Sequence, residues 1–372
     1  MAIRPSLPVI DADGHVFESD RDIYPYLPSP YGGAAILFAT PFFPTLDGFH
    51  RQAQRVTDGR APVLEIPTAE DWLAYLDDAN IALSVLFPTS GLAVGMISDP
   101  TWATALARGY NDYLSDRFLR LAPDRLKGVA LIPLQDPPQA VLELRRAVTE
   151  LGMLGAILPA AGLYEALGHR SFWPVYDAAQ ELDCVLAVHG APSLGLGLDR
   201  LHKLIEVRTL THGFSQMTQM TSLMFEGVFD AFPRLRFAFC EAGCGWVPYL
   251  AERLDLEYRN RRVQAPDLHV MPSEHLASGR IFLHTELGER GLVRAIDEFG
   301  EGVFFCASDY PHEPKHEFPE AVEELMARDD VPESAKRKIL WDNPIRMYSL
   351  DAAKLVAPAE RRQMAAAARE EI

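Results

Sequence analysis

Histidine and carboxylate residues stand where several apolar, strand-like segments of the sequence end. The first segment leads into Asp13 and His15, the fifth ends at His189, and the eighth runs into Asp309. One residue separates Asp13 from His15, so in an extended chain their side chains point to the same side and could bind one ion together. Imidazole nitrogens and carboxylate oxygens are ligands that divalent cations bind in proteins. The pattern therefore predicts a metal site.

Further polar residues follow two other segments: Glu241 comes after the sixth, and His284 and Glu286 come at and after the end of the seventh. Two of the carboxylates have an ordinary structural explanation. Glu241 could pair with Arg253 or cap a helix, and Asp309 could cap a helix or begin a turn. The joint occurrence favours a functional site, because each unpaired buried polar group costs on the order of 1–3 kcal/mol.

The apolar segments alternate with segments of helical periodicity along the chain. The predicted strands cover residues 7–10, 81–87, 126–132, 155–159, 184–189, 235–240, 281–284 and 303–307. Eight such strands predict an α/β fold, a (β/α)₈ TIM barrel, in which the carboxyl ends of the strands meet at one face. An open doubly wound sheet is the alternative, but no Gly-x-Gly-x-x-Gly follows a strand, and the count of eight favours closure.

One barrel domain is predicted over residues 1–350, followed by a helical tail over residues 351–372. An insertion over about residues 20–67 is rich in proline, glycine and aromatic residues, which indicates a lid-like segment after the first strand. Its side chains could contact an apolar or aromatic acid, although the rings could equally pack the lid onto the barrel. These residues are Tyr24, Tyr26, Phe42, Phe43, Phe49, Arg51, Arg55 and Arg60.

The composition excludes several classes of partner. A net charge of −17 repels nucleic acid and anionic membrane surfaces, and no apolar run is long enough to span a bilayer. The beginning of the sequence lacks the apolar segment of a signal peptide, and three of the four cysteines lie in apolar runs. We therefore expect a reduced, cytoplasmic protein.

Three features together carry a resemblance to a known family: Ile10-Asp11-x-Asp13-x-His15, the strand-five His189, and Cys306-Ala-Ser308-Asp309-Tyr-Pro311-His312. They resemble the amidohydrolase superfamily, and more narrowly its amidohydrolase-related branch, which includes aminocarboxymuconate semialdehyde decarboxylase and gamma-resorcylate decarboxylase. The resemblance extends from residue 9 to about residue 350. It implies a distorted (β/α)₈ barrel with one catalytic divalent metal ion, usually zinc or manganese, held by Asp13, His15, His189 and Asp309.

The sequence departs from the branch at two positions. The commoner first motif is His-x-His, and Asp13 at its first position is a harder ligand that favours manganese or magnesium over zinc, with iron also compatible. The branch often carries a catalytic histidine at the end of strand six, where this sequence has Glu241. His212 could supply the imidazole instead, or could be structural. Substrate contacts or supporting roles are expected for His284, Glu286, His312 and Arg253.

The resemblance favours a non-oxidative decarboxylase that cleaves a carbon–carbon bond of an aromatic or unsaturated carboxylic acid, with Asp309 or a nearby acid protonating carbon. A metal-dependent hydrolase of a C–N, ester, lactone or C–C bond is the alternative, with Asp309 as the base that takes a proton from metal-bound water. A metal-binding barrel without turnover is a third hypothesis. The expected partners are a small carboxylic acid, amide or ester substrate and, by family resemblance, a second copy of the chain in a homodimer.

Overall fold

The computed structural model describes residues 8–32, 41–46 and 66–356. Within these ranges the chain alternates strands and helices, as the sequence predicted. The strands are β1 (Val9–Val16), β2 (Ile81–Pro88), β3 (Leu126–Gly128), β4 (Gly155–Pro159), β5 (Val185–His189), β6 (Arg236–Phe239), β7 (Ile281–His284) and β8 (Phe304–Phe305).

The α-helices lie between and after the strands. They are α1 (Asp20–Ile23), α2 (Ala69–Asp78), α3 (Pro100–Leu114), α4 (Pro137–Thr149), α5 (Trp173–Glu181), α6 (Leu204–Phe225), α7 (Val228–Ala231), α8 (Val247–Arg261), α9 (Pro272–Leu276), α10 (Leu292–Phe299), α11 (Glu317–Ala327), α12 (Glu333–Arg337) and α13 (Asn343–Met347). Two π-helical turns, Ser115–Leu119 and Lys338–Asp342, extend α3 and α12.

All paired neighbours among the described strands are parallel, in the orders β1-β2-β3 and β4-β5-β6-β7-β8. A bridge between Ala130 and Ala156 joins the two groups on one side. On the other side, the Ala12 N–H donates to the carbonyl oxygen of Cys306 at 3.3 Å, which joins β1 to the residue after β8. The strands therefore form a distorted (β/α)₈ barrel, and the predicted fold is confirmed.

The barrel core is continuous because parallel strands are covered by helices on the outside. Every residue of β2, β4 and β5 is buried. The helices bury one face each, and α10 shows the spacing most simply, with buried positions three and four residues apart: Leu292, Ala295, Ile296 and Phe299. This packing holds the carboxyl ends of the strands at fixed positions.

The first and last strands differ from the predicted lengths. The sequence predicted a strand over residues 7–10, but β1 extends to Val16, because its pairing with β2 continues across an irregularity between Asp11 and Gly14. Conversely, β8 is shorter than residues 303–307, and Asp309 four residues later has a left-handed backbone (φ 49°) that turns the chain. Asp13 and His15 therefore lie within a strand rather than after it.

The described part of the insertion packs against the outside of the barrel. The Phe42 ring lies 5.5 Å from the Trp102 ring of α3, and the Tyr26 hydroxyl donates to Asp116 at 2.6 Å. These contacts favour the structural interpretation of the described aromatic residues. Phe49, Arg51, Arg55, Arg60 and the tail beyond residue 356 lie outside the described residues. Within those residues, no helix is both long and apolar enough to cross a lipid bilayer.

Candidate metal centre

Four side chains converge at the carboxyl-terminal face of the barrel. Asp13 and His15 come from β1, His189 is the last residue of β5, and Glu241 follows β6. Each offers one ligand atom, and these four atoms lie within 4.8 Å of one another. The Nε2 atoms of His15 and His189 lie 3.5 and 3.4 Å from the two carboxylate oxygens of Asp13. The structure thus brings together three of the predicted ligands and Glu241, which stands where the branch often has a catalytic histidine.

The two imidazoles are oriented by backbone carbonyls behind them. His15 Nδ1 lies 2.8 Å from the carbonyl oxygen of Pro88, and His189 Nδ1 lies 3.1 Å from that of Gly190. Because a carbonyl only accepts a hydrogen bond, each Nδ1 carries the proton, and each Nε2 is directed into the cluster. Histidines that bind metals are oriented by this kind of hydrogen bond.

Several atoms of the cluster are buried without a hydrogen-bond partner. They include both carboxylate oxygens of Asp13 and the Nε2 atom of His189, in side chains with no exposed area. Burial alone would lower the pKa of His189, but the carboxylates of Glu241 and Asp13 outweigh it and raise this pKa well above its ordinary value. A divalent cation would pair with all of these atoms at once, so the residues fit a metal ion.

Glu241 reaches the cluster through an unusual backbone conformation, with φ at 54°. Its Oε1 atom lies 3.1 Å from His15 Nε2 and 3.4 Å from His189 Nε2, and its Oε2 atom lies 3.3 Å from His212 Nε2. Burial would raise the pKa of Glu241, but His189 and then His15 outweigh it and hold the pKa well below its ordinary value. His212 of α6 is therefore at the site.

Asp309 lies beside the cluster and is held by His312. Asp309 Oδ1 accepts a hydrogen bond from His312 Nδ1 at 2.6 Å and is 3.5 Å from His15 Nε2. Burial raises the pKa of Asp309 well above its ordinary value, and the carboxylates of Glu241 and Asp13 raise it further. Asp309 does not cap the next helix, because α11 begins at Glu317. The helix-cap interpretation is therefore wrong.

Two residues that sequence reasoning missed support His312 from behind. The Thr89 hydroxyl lies 2.9 Å from His312 Nε2. Because His312 Nδ1 donates a hydrogen bond to Asp309, Nε2 accepts a hydrogen bond from this hydroxyl. The buried Glu18 carboxylate accepts from the backbone N–H groups of Thr89 at 3.0 Å and Gly91 at 2.7 Å. Burial raises the pKa of Glu18 to about 7. No local pattern indicates Glu18, because its partners Thr89 and Gly91 come 71 and 73 positions later in the chain.

Asp11 points away from the metal cluster, although regular alternation would place it on the same side as Asp13, because the pairing of β1 with β2 is irregular between Asp11 and Gly14. It accepts hydrogen bonds from the Ser84 hydroxyl at 2.6 Å and from the Ser308 N–H at 2.8 Å. Since Ser308 precedes Asp309, this buried carboxylate fixes the chain just before the candidate acid.

The structure does not place Arg253 or Glu286 in the cluster. Arg253 lies on α8 and pairs with Glu257 at 2.8 Å, so its predicted pairing with Glu241 is wrong. The Glu286 side chain is 70% exposed and lies 4.0 Å from His284 Nδ1. His284 is buried at the end of β7, and its Nδ1 has no hydrogen-bond partner. Arg253 lies on a solvent-facing side of α8, and the direction of the loop that carries Glu286 is not specified by the sequence pattern.

A cation-binding cluster at the carboxyl-terminal face of a (β/α)₈ barrel defines a class of metal-dependent barrel enzymes. A family model described as "Amidohydrolase" matches residues 10–350, and the chain belongs to this family. The predicted family is therefore confirmed.

Similar proteins include relatives that are named as decarboxylases. The chain is 26% identical over 316 residues to gamma-resorcylate decarboxylase of Polaromonas sp., covering 79% of this chain and 93% of that protein. It is 24% identical over 284 residues to 2-amino-3-carboxymuconate-6-semialdehyde decarboxylase of Dictyostelium discoideum, covering 75% of each. Because these relatives are enzymes and match over most of their length, the prediction of an enzyme is confirmed.

A solved structure supports the same fold. The dihydroxybenzoic acid decarboxylase of Polaromonas sp., with bound manganese and the inhibitor 2-nitroresorcinol, matches with a TM-score of 0.68 at 22% identity. The match covers 94% of this chain and 99% of that one.

Proposed function

We propose that the protein is a divalent-metal-dependent, non-oxidative decarboxylase of an aromatic carboxylic acid with a hydroxyl group next to the carboxylate. The observation that carries this proposal is the cluster of buried, unpaired ligand atoms beside Asp309. The relatives named for decarboxylation of gamma-resorcylate support the substrate class. The manganese in the Polaromonas structure supports manganese as the cation.

Asp13, His15, His189 and Asp309 would hold the cation, since Asp13 Oδ1 and Asp309 Oδ1 each lie 3.5 Å from His15 Nε2 and Asp13 Oδ2 lies 3.4 Å from His189 Nε2. A divalent cation there would polarise the carboxylate and the adjacent oxygen of the substrate. The partly exposed Phe17, which lies 5.2 Å from the ring of His312, would supply apolar surface for the ring of the substrate. Phe87 is fully buried and packs 5.7 Å from the His189 ring, so it supports that imidazole from the core.

Asp309 would act as the acid. Its carboxyl group gives a proton to the ring carbon that bears the carboxylate, the bond to the carboxylate then breaks, the electron pair returns to the ring, and CO₂ leaves. His312 Nδ1–H occupies Oδ1 of Asp309, which leaves Oδ2 to carry the proton. The Asp309 carboxylate is reprotonated from water. A general acid of this kind contributes about 10²–10⁴-fold to the rate.

His212 would bind the hydroxyl group of the substrate. Its side chain is 21% exposed, and its Nε2 atom lies next to Glu241 at the mouth of the cluster. The absence of a side chain at Gly190 allows this position, because a Cβ there would lie 2.3 Å from His212 Cδ2.

Product analysis separates decarboxylation from hydrolysis. Manganese-loaded protein is incubated with 2,6-dihydroxybenzoate, with other ortho-hydroxybenzoates, and with ester, lactone and amide panels. We expect CO₂ release from an ortho-hydroxybenzoate, none from 4-hydroxybenzoate as the matched control, and none after chelation of the metal. Acid release from the hydrolytic panels without CO₂ release would instead establish the hydrolase.

We further propose a cytoplasmic homodimer that has no nucleic-acid or membrane partner. The four cysteines are all buried and unbridged, which suits a reducing compartment, and the net charge of −17 disfavours anionic surfaces. Light scattering on the purified protein tests the dimer, and a monomer mass at micromolar concentration would contradict it.

A further inference from the structure

The segment in which the chain leaves β2, residues 88–91, contacts two of the histidines at the site. We call it the β2 exit segment. The carbonyl oxygen of Pro88 accepts a hydrogen bond from His15 Nδ1 at 2.8 Å, and the hydroxyl of Thr89 lies 2.9 Å from His312 Nε2. Two consecutive residues therefore hold two different imidazoles, so the position of this segment determines where both rings lie.

The buried carboxylate of Glu18 holds the β2 exit segment in place. Its Oε2 atom accepts from the N–H group of Thr89 at 3.0 Å, and its Oε1 atom accepts from that of Gly91 at 2.7 Å. The glycine allows this turn, because a Cβ at residue 91 would lie 2.7 Å from Pro88 Cβ. Hydrogen bonds to a carboxylate are stronger than those between neutral groups, so the backbone of Thr89 is held firmly.

The ring of His312 depends on hydrogen bonds for its orientation. Its centroid lies 4.2 Å from that of His15 and 5.2 Å from that of Phe17, and these contacts restrict the plane of the ring. Rotation of the ring by half a turn would keep the contacts but would direct carbon atoms at Thr89 and Asp309. The hydroxyl at Nε2 and the carboxylate at Nδ1, which is 2.6 Å away, therefore select one of the two orientations.

We propose that Glu18 and Thr89 are positioning residues for the acid of the proposed reaction. Glu18 fixes the backbone of Thr89, and Thr89 Oγ1 keeps the Nδ1–H group of His312 directed at Asp309 Oδ1. When Oδ2 of Asp309 gives its proton to the substrate, this hydrogen bond stabilises the carboxylate that remains. The effect of both residues therefore falls on the chemical step. The inference rests on the proposed function, because Asp309 has to be the acid.

Substitution of Thr89 tests the role of its hydroxyl. Thr89→Val removes the hydroxyl and keeps the branched shape of the side chain. In manganese-loaded protein with 2,6-dihydroxybenzoate, kcat should fall about 3- to 10-fold, the worth of one hydrogen bond between neutral groups, while KM changes by less than about twofold. Thr89→Ser keeps the hydroxyl and should restore about half of the wild-type kcat or more. Ser90→Ala is the matched control, because the Ser90 hydroxyl bonds to the carbonyl of Glu18 and not to His312, and it should stay within about twofold of the wild type.

Two further variants test the connection between these residues. Thr89→Val added to His312→Ala should lower kcat no further than His312→Ala alone, because the hydroxyl acts only through this ring. In Glu18→Gln, one carboxylate oxygen becomes an NH₂ group that cannot accept, so one backbone N–H of the β2 exit segment loses its acceptor and kcat should fall about 2- to 10-fold. Wild-type kcat in Thr89→Val, or an additive loss in the double variant, would overturn the proposal, and wild-type kcat in Glu18→Gln would remove Glu18 from it.

Nuclear magnetic resonance of the metal-free protein tests the same geometry without turnover. With ¹⁵N-labelled histidine, the Nδ1–H signal of His312 is identified by its loss in His312→Ala. This proton should exchange with water about 3- to 10-fold faster in Thr89→Val than in the wild type, and Thr89→Ser should keep the slow rate. If circular dichroism shows that Thr89→Val is not folded, Thr89→Ala replaces it.

The two measurements distinguish failure of this inference from failure of the proposed function. Equal exchange rates in the wild type and Thr89→Val would refute the positioning of His312, whether or not any benzoate is decarboxylated. The expected exchange rates, with no CO₂ from any ortho-hydroxybenzoate, would refute decarboxylation and leave the positioning of His312 by Thr89 standing.

Discussion

Substitution of Gly190 by alanine displaces His212 without altering any proposed ligand. A Cβ at residue 190 would lie 2.3 Å from Cδ2 and 3.0 Å from Cγ of the His212 ring. An ordinary contact begins at 3.4 Å, so the ring has to move by about 1 Å. Gly190 is not among the glycines with positive φ, so alanine can adopt its backbone conformation. The strain therefore falls on the imidazole.

The expected loss follows from this displacement. A misplacement of about 1 Å at an active site costs on the order of 10²-fold in rate, which corresponds to about 3 kcal/mol of transition-state stabilisation. The tighter packing should lower the free energy of unfolding by about 1–3 kcal/mol. Manganese affinity should be unchanged, because the carbonyl of Gly190 still accepts from His189 Nδ1.

Steady-state decarboxylation by manganese-loaded protein measures the effect. Gly213→Ala is the matched control, because Gly213 adjoins His212 and a Cβ there meets no atom within 4 Å. This variant should keep wild-type kcat/KM. Gly190→Ala added to His212→Ala should cause no further loss. A Gly190→Ala enzyme within about threefold of the wild type, or an additive loss in the double variant, would refute the reasoning.

Three further predictions concern residues around the site. His312→Ala removes the hydrogen bond that stabilises the Asp309 carboxylate as its proton leaves, and it should lower kcat by about 10- to 100-fold in steady-state assays; an unchanged kcat would contradict its role. Since the pKa of Glu18 is raised to about 7 in the folded protein, Glu18 should destabilise the wild type by up to about 3 kcal/mol as the pH rises from 5 to 8. Urea unfolding should show this fall with pH, and Glu18→Gln should remove it; equal slopes would contradict it. Arg253→Ala should leave kcat/KM within about twofold, because Arg253 is half exposed and pairs with Glu257 on the same helix, whereas a tenfold loss would place Arg253 at the site.

The alternation of side chains in strands made part of the site predictable. It indicated that Asp13 and His15 face one side, and the structure agrees. The irregularity of β1 between Asp11 and Gly14, which turns Asp11 away, was not predictable from alternation. The lengths of the apolar segments were enough to predict the bounds of β4 and β7 as the structure has them. These features are local, so a single sequence contains them.

The remaining features depend on contacts between distant segments. The proximity of Glu241 to His15 depends on the curvature of the barrel and on the left-handed backbone of Glu241. A glutamate does not indicate such a backbone conformation, as a glycine would. His212 can approach the site because residue 190, twenty-two positions earlier, is a glycine. Periodicity gives the face of an element but not the distance that its side chains span.

A single-turnover reaction in D₂O tests the central proposal most directly. Manganese-loaded protein in excess over 2,6-dihydroxybenzoate should release one CO₂ per substrate and place one deuterium at the vacated ring carbon. Asp309→Asn should lose both while retaining one bound manganese. Release of an acid from an ester or amide with no CO₂ from any ortho-hydroxybenzoate, or full turnover by Asp309→Asn, would contradict the proposal.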